Sequence, residues 1–349
     1  MIGVGYMNLK KLTTLTLSTI MILSTALFAF TGCEKNESGA ENATPEASAV
    51  TTEIPEKEVA KENWNETAKI IILSGQSNMA GASSKAYLRN NESLDKEEKK
   101  QLIGAGFPNI QIMFSTGSAD APEDQWHTSY GRFVKVVAGQ GAASTKTHFG
   151  PELGLADYLD EKYPGEKFYI VKHALGGSFI DEYLGSPLPD RCDSYAALTK
   201  IMDLAIPAVE ADSGLKAEVV AFCWMQGESD AFHENYANFY AEKLDKLVTK
   251  IRTDYAEYAP ERGIAFIDAT INNSGIWPCH ETVNNAKIQY QTNSKLNYLI
   301  YTNEAGLTCA NEPEGTPDTA HYDSMSQLKL GHLFGEKLSE HLELTFEKG

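Results

Sequence analysis

The sequence predicts an α/β protein, a three-layer α/β/α sandwich built on a mostly parallel sheet. Six short runs rich in Ile, Val, Phe and Tyr recur along the chain, at 70–73, 110–114, 168–171, 219–223, 264–267 and 298–301. They are apolar at successive positions instead of alternating, which is the pattern of strands buried on both faces. Between several of them lie longer stretches with apolar residues three and four apart. Strands alternating with helices imply a parallel sheet covered on both sides.

In chain order, the first 33 residues stand outside that fold. Lys10 and Lys11 form a positive n-region, followed by an apolar run over 12–30 that ends Phe30-Thr31-Gly32-Cys33. Small residues just ahead of a cysteine mark an export signal of the lipoprotein kind, with Cys33 as the lipidated residue. The run is nearly long enough to span a bilayer, but Thr and Ser dilute it, and a plain anchor has no use for a boundary cysteine. The expected location is extracytoplasmic, held to a bacterial membrane by lipid alone. Residues 34–67 are rich in Glu, Ala, Ser and Thr, with Pro45 and Pro55. Such a stretch cannot bury enough apolar surface to offset its ordering entropy, and as a coil it would reach on the order of 30 Å. It reads as a tether. Residues 68–349 form the folded domain, with helices expected after Pro151 (153–159), at 196–209, at 236–251 and at 328–342. Pro151 suits a first helical turn. There is no internal repeat.

The net charge of −18 repels phosphate backbones, and no basic run offsets it, so nucleic acid is excluded as a partner. After Cys33, the cysteines are Cys192, Cys223, Cys279 and Cys309, and none shows metal-ligand spacing. No motif offers three close His, Cys or carboxylate ligands, so a metal-independent protein without cofactor is expected. Cys223 lies in an apolar run and reads as a buried thiol. Cys279 and Cys309 flank a loop-rich region and are candidates for pairing in an oxidising compartment.

In open parallel sheets, ligands sit beyond the carboxyl ends of the strands. Three such ends collect Gly, Ser, Gln and Asn: 73–81, 173–178 and 224–230. Ser77 follows a strand and Gly75 and opens the next helix, where unpaired backbone N–H groups can hold an oxyanion. A serine hydroxyl needs a base. His321, just before the last helix, supplies one, and Asp318 lies three residues earlier, placed to orient the ring. His173 enters a functional-looking loop, either as a substrate contact or as a satisfied half-buried histidine. Gly227-Glu228-Ser229 offers Ser229 as a rival nucleophile. Neither serine has the full Gly-x-Ser-x-Gly elbow, and spacing alone leaves both open, or makes both helix caps.

Gly75-Gln76-Ser77-Asn78-Met79-Ala80-Gly81 resembles the first block of the sialate O-acetylesterase-like branch of the SGNH hydrolases, which includes carbohydrate esterase family six. Gly150-Pro151-Glu152, 172–178, 224–230 and 318–321 resemble the later blocks in order, spanning roughly 69–338. The resemblance implies a sheet of about five strands. It implies Ser77 as nucleophile, His321 as base, and oxyanion donors from Ser77 and from Gly176 or Gly177. Gln76 belongs to the same oxyanion and substrate-binding set. Gln226 takes the place of the asparagine that many relatives use as a third donor, and its amide has the right chemistry. Either Asp318 or Glu228 orients His321 in this branch, and the triad template favours Asp318. Ala320-His321-Tyr322 departs mildly from the family pattern around that histidine. The implied activity is an exported serine esterase that removes O-acetyl groups from carbohydrate, a polysaccharide such as xylan or sialic acid. A lipid or aryl esterase, or a non-catalytic solute-binding lipoprotein for sugars, are the alternatives.

Overall fold

Each of the six apolar runs becomes a strand: β1 (Thr67–Gly75), β2 (Ile110–Ser118), β3 (Phe168–Gly176), β4 (Lys216–Met225), β5 (Ala265–Ala269) and β6 (Asn297–Ile300). The computed structural model describes residues 66–142, 146–273 and 275–343. The expected export signal, Cys33 and nearly all of the expected tether lie outside the described residues. The six strands run parallel in the order β2-β3-β1-β4-β5-β6. Two-residue strands at His127–Thr128 and Val134–Lys135 pair antiparallel with β2 at the outer edge. The parallel sheet thus has six strands where the resemblance implied about five. The apolar runs were the better guide, because consecutive residues such as Ile70, Ile71, Ile72 and Leu73 are all fully buried and need cover on both faces.

The cover comes from α2 (Glu152–Lys162), α3 (Ser194–Ser213), α4 (Tyr240–Asp254), α5 (His280–Gln291) and α6 (Ser324–Leu342), with a four-residue α1 (Ser77–Ala80) directly after β1. Asp193 caps α3 through the Ala196 N–H at 2.9 Å, and Asp323 caps α6 through the Ser326 N–H at 2.8 Å. The helix expected over 236–251 is two pieces, Glu234–Ala237 and α4, because Phe239 leaves helical conformation with ψ 2°. No run of apolar residues had announced α5. Its buried face includes Lys287, whose Nζ lies 2.6 Å from Asp268, and that charge hides the helical period.

All four cysteines of the described region are free, the pairing candidates Cys279 and Cys309 among them. Cys279 precedes α5, whereas the Cys309 thiol donates to the Thr319 carbonyl at 3.3 Å in the loop before α6. Cys223 is fully buried, as its apolar run implied.

Lys172 of β3 is buried with Glu152, the first residue of α2, at 2.5 Å. Lys172 also donates to the Ala80 carbonyl at 2.8 Å, and Glu152 accepts from the Gly150 N–H at 2.9 Å. The pair fastens the end of α1 to the start of α2. Removing one partner strands a charge in the core. Glu152→Ala is expected to cost about 3–5 kcal/mol of stability, and Glu152→Leu combined with Lys172→Met far less. Urea unfolding of the two variants checks this.

Candidate active site

β1 lies between β3 and β4, where the strand order reverses, and a crevice opens at such a point beyond the strand ends. β1 ends on Gly75 at φ +146°, where a Cβ would lie 2.0 Å from the Met225 carbonyl oxygen, so only glycine lets β1 and β4 close this tightly. The Gln76 N–H then donates to that same oxygen at 2.9 Å, and the chain turns straight into α1 at Ser77. No side chain caps α1, so its first N–H groups, that of Ser77 included, have no partner within the helix. Ser77 is half-buried, whereas Gln76 and Asn78 on either side of it are buried. Across from it, a Cβ on Gly176 would stand 3.7 Å from the Ser77 Cβ. Gly177 follows at φ +74° with open space where a side chain would be.

His321 and Asp318 share one turn ahead of α6. The His321 Nδ1 lies 2.6 Å from Asp318 Oδ2, while Asp318 Oδ1 accepts the N–H groups of Ala320 at 2.8 Å and His321 at 3.1 Å. Partial burial works to raise the Asp318 carboxyl, but hydrogen bonding and charge from His321 outweigh it and hold the group below the usual carboxylate range.

Asn78 joins that turn to α1. Its Nδ2 donates to the Ala320 carbonyl at 3.1 Å, and its Oδ1 accepts the Tyr322 N–H at 3.1 Å. The residue after Ser77 therefore grips both neighbours of His321. The other Nδ2 proton goes to Glu228 Oε1 at 2.8 Å. Glu228 is buried and its second oxygen has no hydrogen-bond partner. Burial pushes its carboxyl up, against the opposing pull of the Asn78 bond. Of the two carboxylates proposed from sequence, Asp318 touches the imidazole, and Glu228 holds Asn78, which grips the backbone on either side of it.

Gln76 and Gln226 face inward and hold loops. Gln76 Oε1 accepts the Gly227 N–H at 3.3 Å and the Ser229 N–H at 3.2 Å. Gln226 Nε2 is surrounded by acceptors: Asp230 Oδ2 at 2.6 Å, the Ser178 carbonyl at 3.1 Å and Gln76 Oε1 at 3.3 Å. The residue is fully buried and its two protons have these acceptors around them, so here its amide, expected as a third oxyanion donor, holds loops. Asp230, pushed up to about 6 by burial, also accepts the Ile180 N–H at 3.1 Å and so anchors the loop after β3. Ser229, the rival nucleophile, is buried. His173 is wholly buried, not half-buried, with neither ring nitrogen hydrogen-bonded, and burial lowers it to about 3. It is a neutral core ring beside Trp126 and Tyr183, centroids at 5.6 and 6.2 Å.

The sequence assigns Asn78 no role, although an amide directly after a candidate nucleophile is visible in the motif. His148 pairs with Ser84 in a short antiparallel ladder, and Ser83 donates to the Tyr322 carbonyl at 2.8 Å. Burial lowers the His148 imidazole, and the charge of nearby His321 lowers it further. Among the described residues, no group of three or more His, Cys, Asp or Glu is placed to hold a metal ion.

Truncating Asn78 leaves Glu228, the Ala320 carbonyl and the Tyr322 N–H without it. Asn78→Ala is expected to cost at least about 1–3 kcal/mol. Hydrogen exchange at the Tyr322 amide should accelerate ahead of the strand amides of β1, and equal protection in both proteins would refute the linkage.

The profile of the family described as carbohydrate esterase, sialic acid-specific acetylesterase, matches residues 67–340. A probable carbohydrate esterase of Arabidopsis thaliana is 28% identical over 191 residues, covering 53% of this chain and 64% of that relative's length. Among solved structures, a protein from Arabidopsis thaliana superposes with a TM-score of 0.52 at 21% identity, over 78% of this chain and 98% of the other. NanS gives a TM-score of 0.51 at 14% identity, over 79% and 97%. Those two share the fold. The profile match runs from the start of β1 nearly to the end of α6, and the chain belongs to the carbohydrate esterase, sialic acid-specific acetylesterase family.

Proposed function

We propose that this chain is a serine esterase that removes O-acetyl groups from carbohydrate, with Ser77 as nucleophile, His321 as base and Asp318 orienting the imidazole. The observation that carries the reading is the Asp318–His321 contact at 2.6 Å, on a turn that Asn78 fastens beside Ser77. A family profile built on carbohydrate esterases supports the substrate class. With Asp318 on Nδ1, the far nitrogen of His321 is left as the acceptor for the Ser77 proton.

The Ser77 oxygen attacks the acetyl carbonyl carbon as His321 takes its proton. The carbonyl electrons move onto oxygen, and the backbone N–H groups of Ser77 and of the Gly176-Gly177 turn hold the resulting oxyanion. Collapse breaks the ester bond, and His321 returns its proton to the departing sugar oxygen. Water then gives a proton to His321 and attacks the acetyl-enzyme. Acetate leaves, and the proton goes back to Ser77. Gln76, Gln226 and Asp230 position the loops around this site without touching the reacting atoms.

Export is part of the same proposal. The Thr31-Gly32-Cys33 boundary supports a lipid anchor on Cys33, and a tethered enzyme suits a polymer too large to enter a cell. Cells labelled with a fatty-acid analogue should show label on this protein that Cys33→Ala removes together with membrane partitioning. Retained label would place the anchor elsewhere.

On p-nitrophenyl acetate and an acetylated oligosaccharide, Asp318→Asn should lower kcat by as much as ~10⁴, on the triad precedent. Glu228→Gln keeps an acceptor for Asn78 and should cost about one or two orders of magnitude through loosened positioning. A crippled Glu228→Gln beside a nearly normal Asp318→Asn would reverse the two roles. A fluorophosphonate should label Ser77, and an adduct on Ser229 instead would sink the choice of nucleophile.

A further inference from the structure

We propose that a band of aromatic rings beside the Gly176-Gly177 turn is a subsite that holds the sugar backbone next to the acetylated unit, making the substrate an oligosaccharide or polymer. The inference rests on the esterase reading and extends it.

Phe179 stands two residues beyond Gly177 and packs on Tyr236, ring centroids 4.9 Å apart. Tyr236 meets His233 at 5.9 Å, His233 meets Phe232 at 6.5 Å, and Phe232 meets Trp277 edge-on at 6.4 Å. The chain of rings starts in the loop after β3 and crosses the segment after β4, the two strands that flank β1 and Ser77. Its first ring thus stands two residues from Gly177, where Asp230 of the segment after β4 accepts the Ile180 N–H at 3.1 Å, so the band begins beside the candidate active site. Phe232 is 49% exposed, and Phe239 at the end of the same segment is 56% exposed. Phe232 is thus the exposed ring of the band.

The margins of the band say what kind of ligand fits. The Arg191 guanidinium lies 5.4 Å from the Phe179 ring and the Lys243 ammonium 5.4 Å from the Tyr236 ring. Ion pairs fix both heads, Arg191 with Glu182 at 2.6 Å and Lys243 with Asp181 at 2.7 Å. The two cations lie over the Phe179 and Tyr236 rings, so a pyranose would set its apolar C–H face on the exposed Phe232 ring and its hydroxyls toward the charged groups, matching both parts at once. An acyl chain has no use for the charged margin. A protein partner calls for a wide core depleted of charge, not a strip bordered by ion pairs.

The test compares wild type, Phe232→Ala and Phe232→Tyr on p-nitrophenyl acetate and on acetylated xylo- and manno-oligosaccharides. Phe232→Ala should lose at least tenfold more kcat/KM on the better oligosaccharide than on p-nitrophenyl acetate, chiefly through KM, and Phe232→Tyr should restore it. Equal losses on both substrates, or no loss on the oligosaccharide, overturn the subsite. If wild type cleaves p-nitrophenyl acetate but no acetylated sugar, the carbohydrate reading itself has failed. Calorimetry of Ser77→Ala with the deacetylated oligosaccharides then judges the band alone: binding that Phe232→Ala abolishes upholds it, and no binding overturns it.

Discussion

The side-chain amide of Asn78 is the joint on which the site depends. Three separately folded segments meet there: α1 at the end of β1, the Glu228 loop at the end of β4, and the His321 turn before α6. Its oxygen accepts one backbone N–H and its nitrogen donates to one carbonyl and one carboxylate. That donor and acceptor set fixes the orientation, because a flipped amide would set N–H against N–H and oxygen against oxygen. No other side chain of this size serves. An aspartate would oppose Glu228 and the Ala320 carbonyl with negative oxygens, and a leucine would remove a hydrogen bond from all three partners, each at a cost. His321 is held through its own backbone neighbours, so its placement follows from a hydrogen-bonded scaffold and not from its side chain alone.

The two carboxylates near His321 differ in what they can do for a cation. Asp318 is partly exposed and held below the usual carboxylate range by the imidazole it touches, so it carries charge where an imidazolium would form. Glu228 is sealed in the core, and burial pushes it the other way. A buried carboxyl that does not touch the imidazole is a poor partner for a transient cation on it. It is a good fixed acceptor for an amide that must not move. The same logic runs through the base of the site. Lys172 with Glu152, and Lys287 with Asp268, are fully buried ion pairs placed under the strand ends. Such pairs add little net stability over apolar substitutes, but a mispositioned partner is costly, so they resist displacement of the loops above them.

The parts of this arrangement legible in the sequence are those written in local pattern. Runs such as 70–73 and 168–171 announce strands because burial on both faces demands unbroken apolar residues. The Asp318–His321 contact was legible because three residues of a tight turn suffice to make it. What local pattern does not encode is which way a buried polar side chain turns. Gln226 had the chemistry of an oxyanion donor, yet Asp230, four residues on, and the Ser178 carbonyl of another loop claim its protons. α5 was hidden for the same reason: the partner that makes buried Lys287 tolerable, Asp268, lies on a different element. His173 looked like a site residue because it sits in a strand-end motif, but β3 points it into the layer that holds Trp126 and Tyr183. Expectations about the first 65 residues rest on sequence alone.

On the esterase reading, the electrostatics also bear on turnover. The substrate ester is neutral and one product, acetate, is an anion. During the reaction, negative charge develops against uncharged backbone N–H groups, whose dipoles stabilise it only while it sits at the Gly176-Gly177 turn. Once acetate is free, it stands in the field of a chain whose net charge is −18, with Asp318 ionised close by. A Lys or Arg donating directly to the oxyanion would bind the intermediate well and bind the product too; Arg191 donates instead to the Gly177 carbonyl at 2.5 Å and is paired with Glu182. Donors without formal charge give up that attraction to the product and keep the stabilisation confined to the transition state, which is the part of binding that raises kcat.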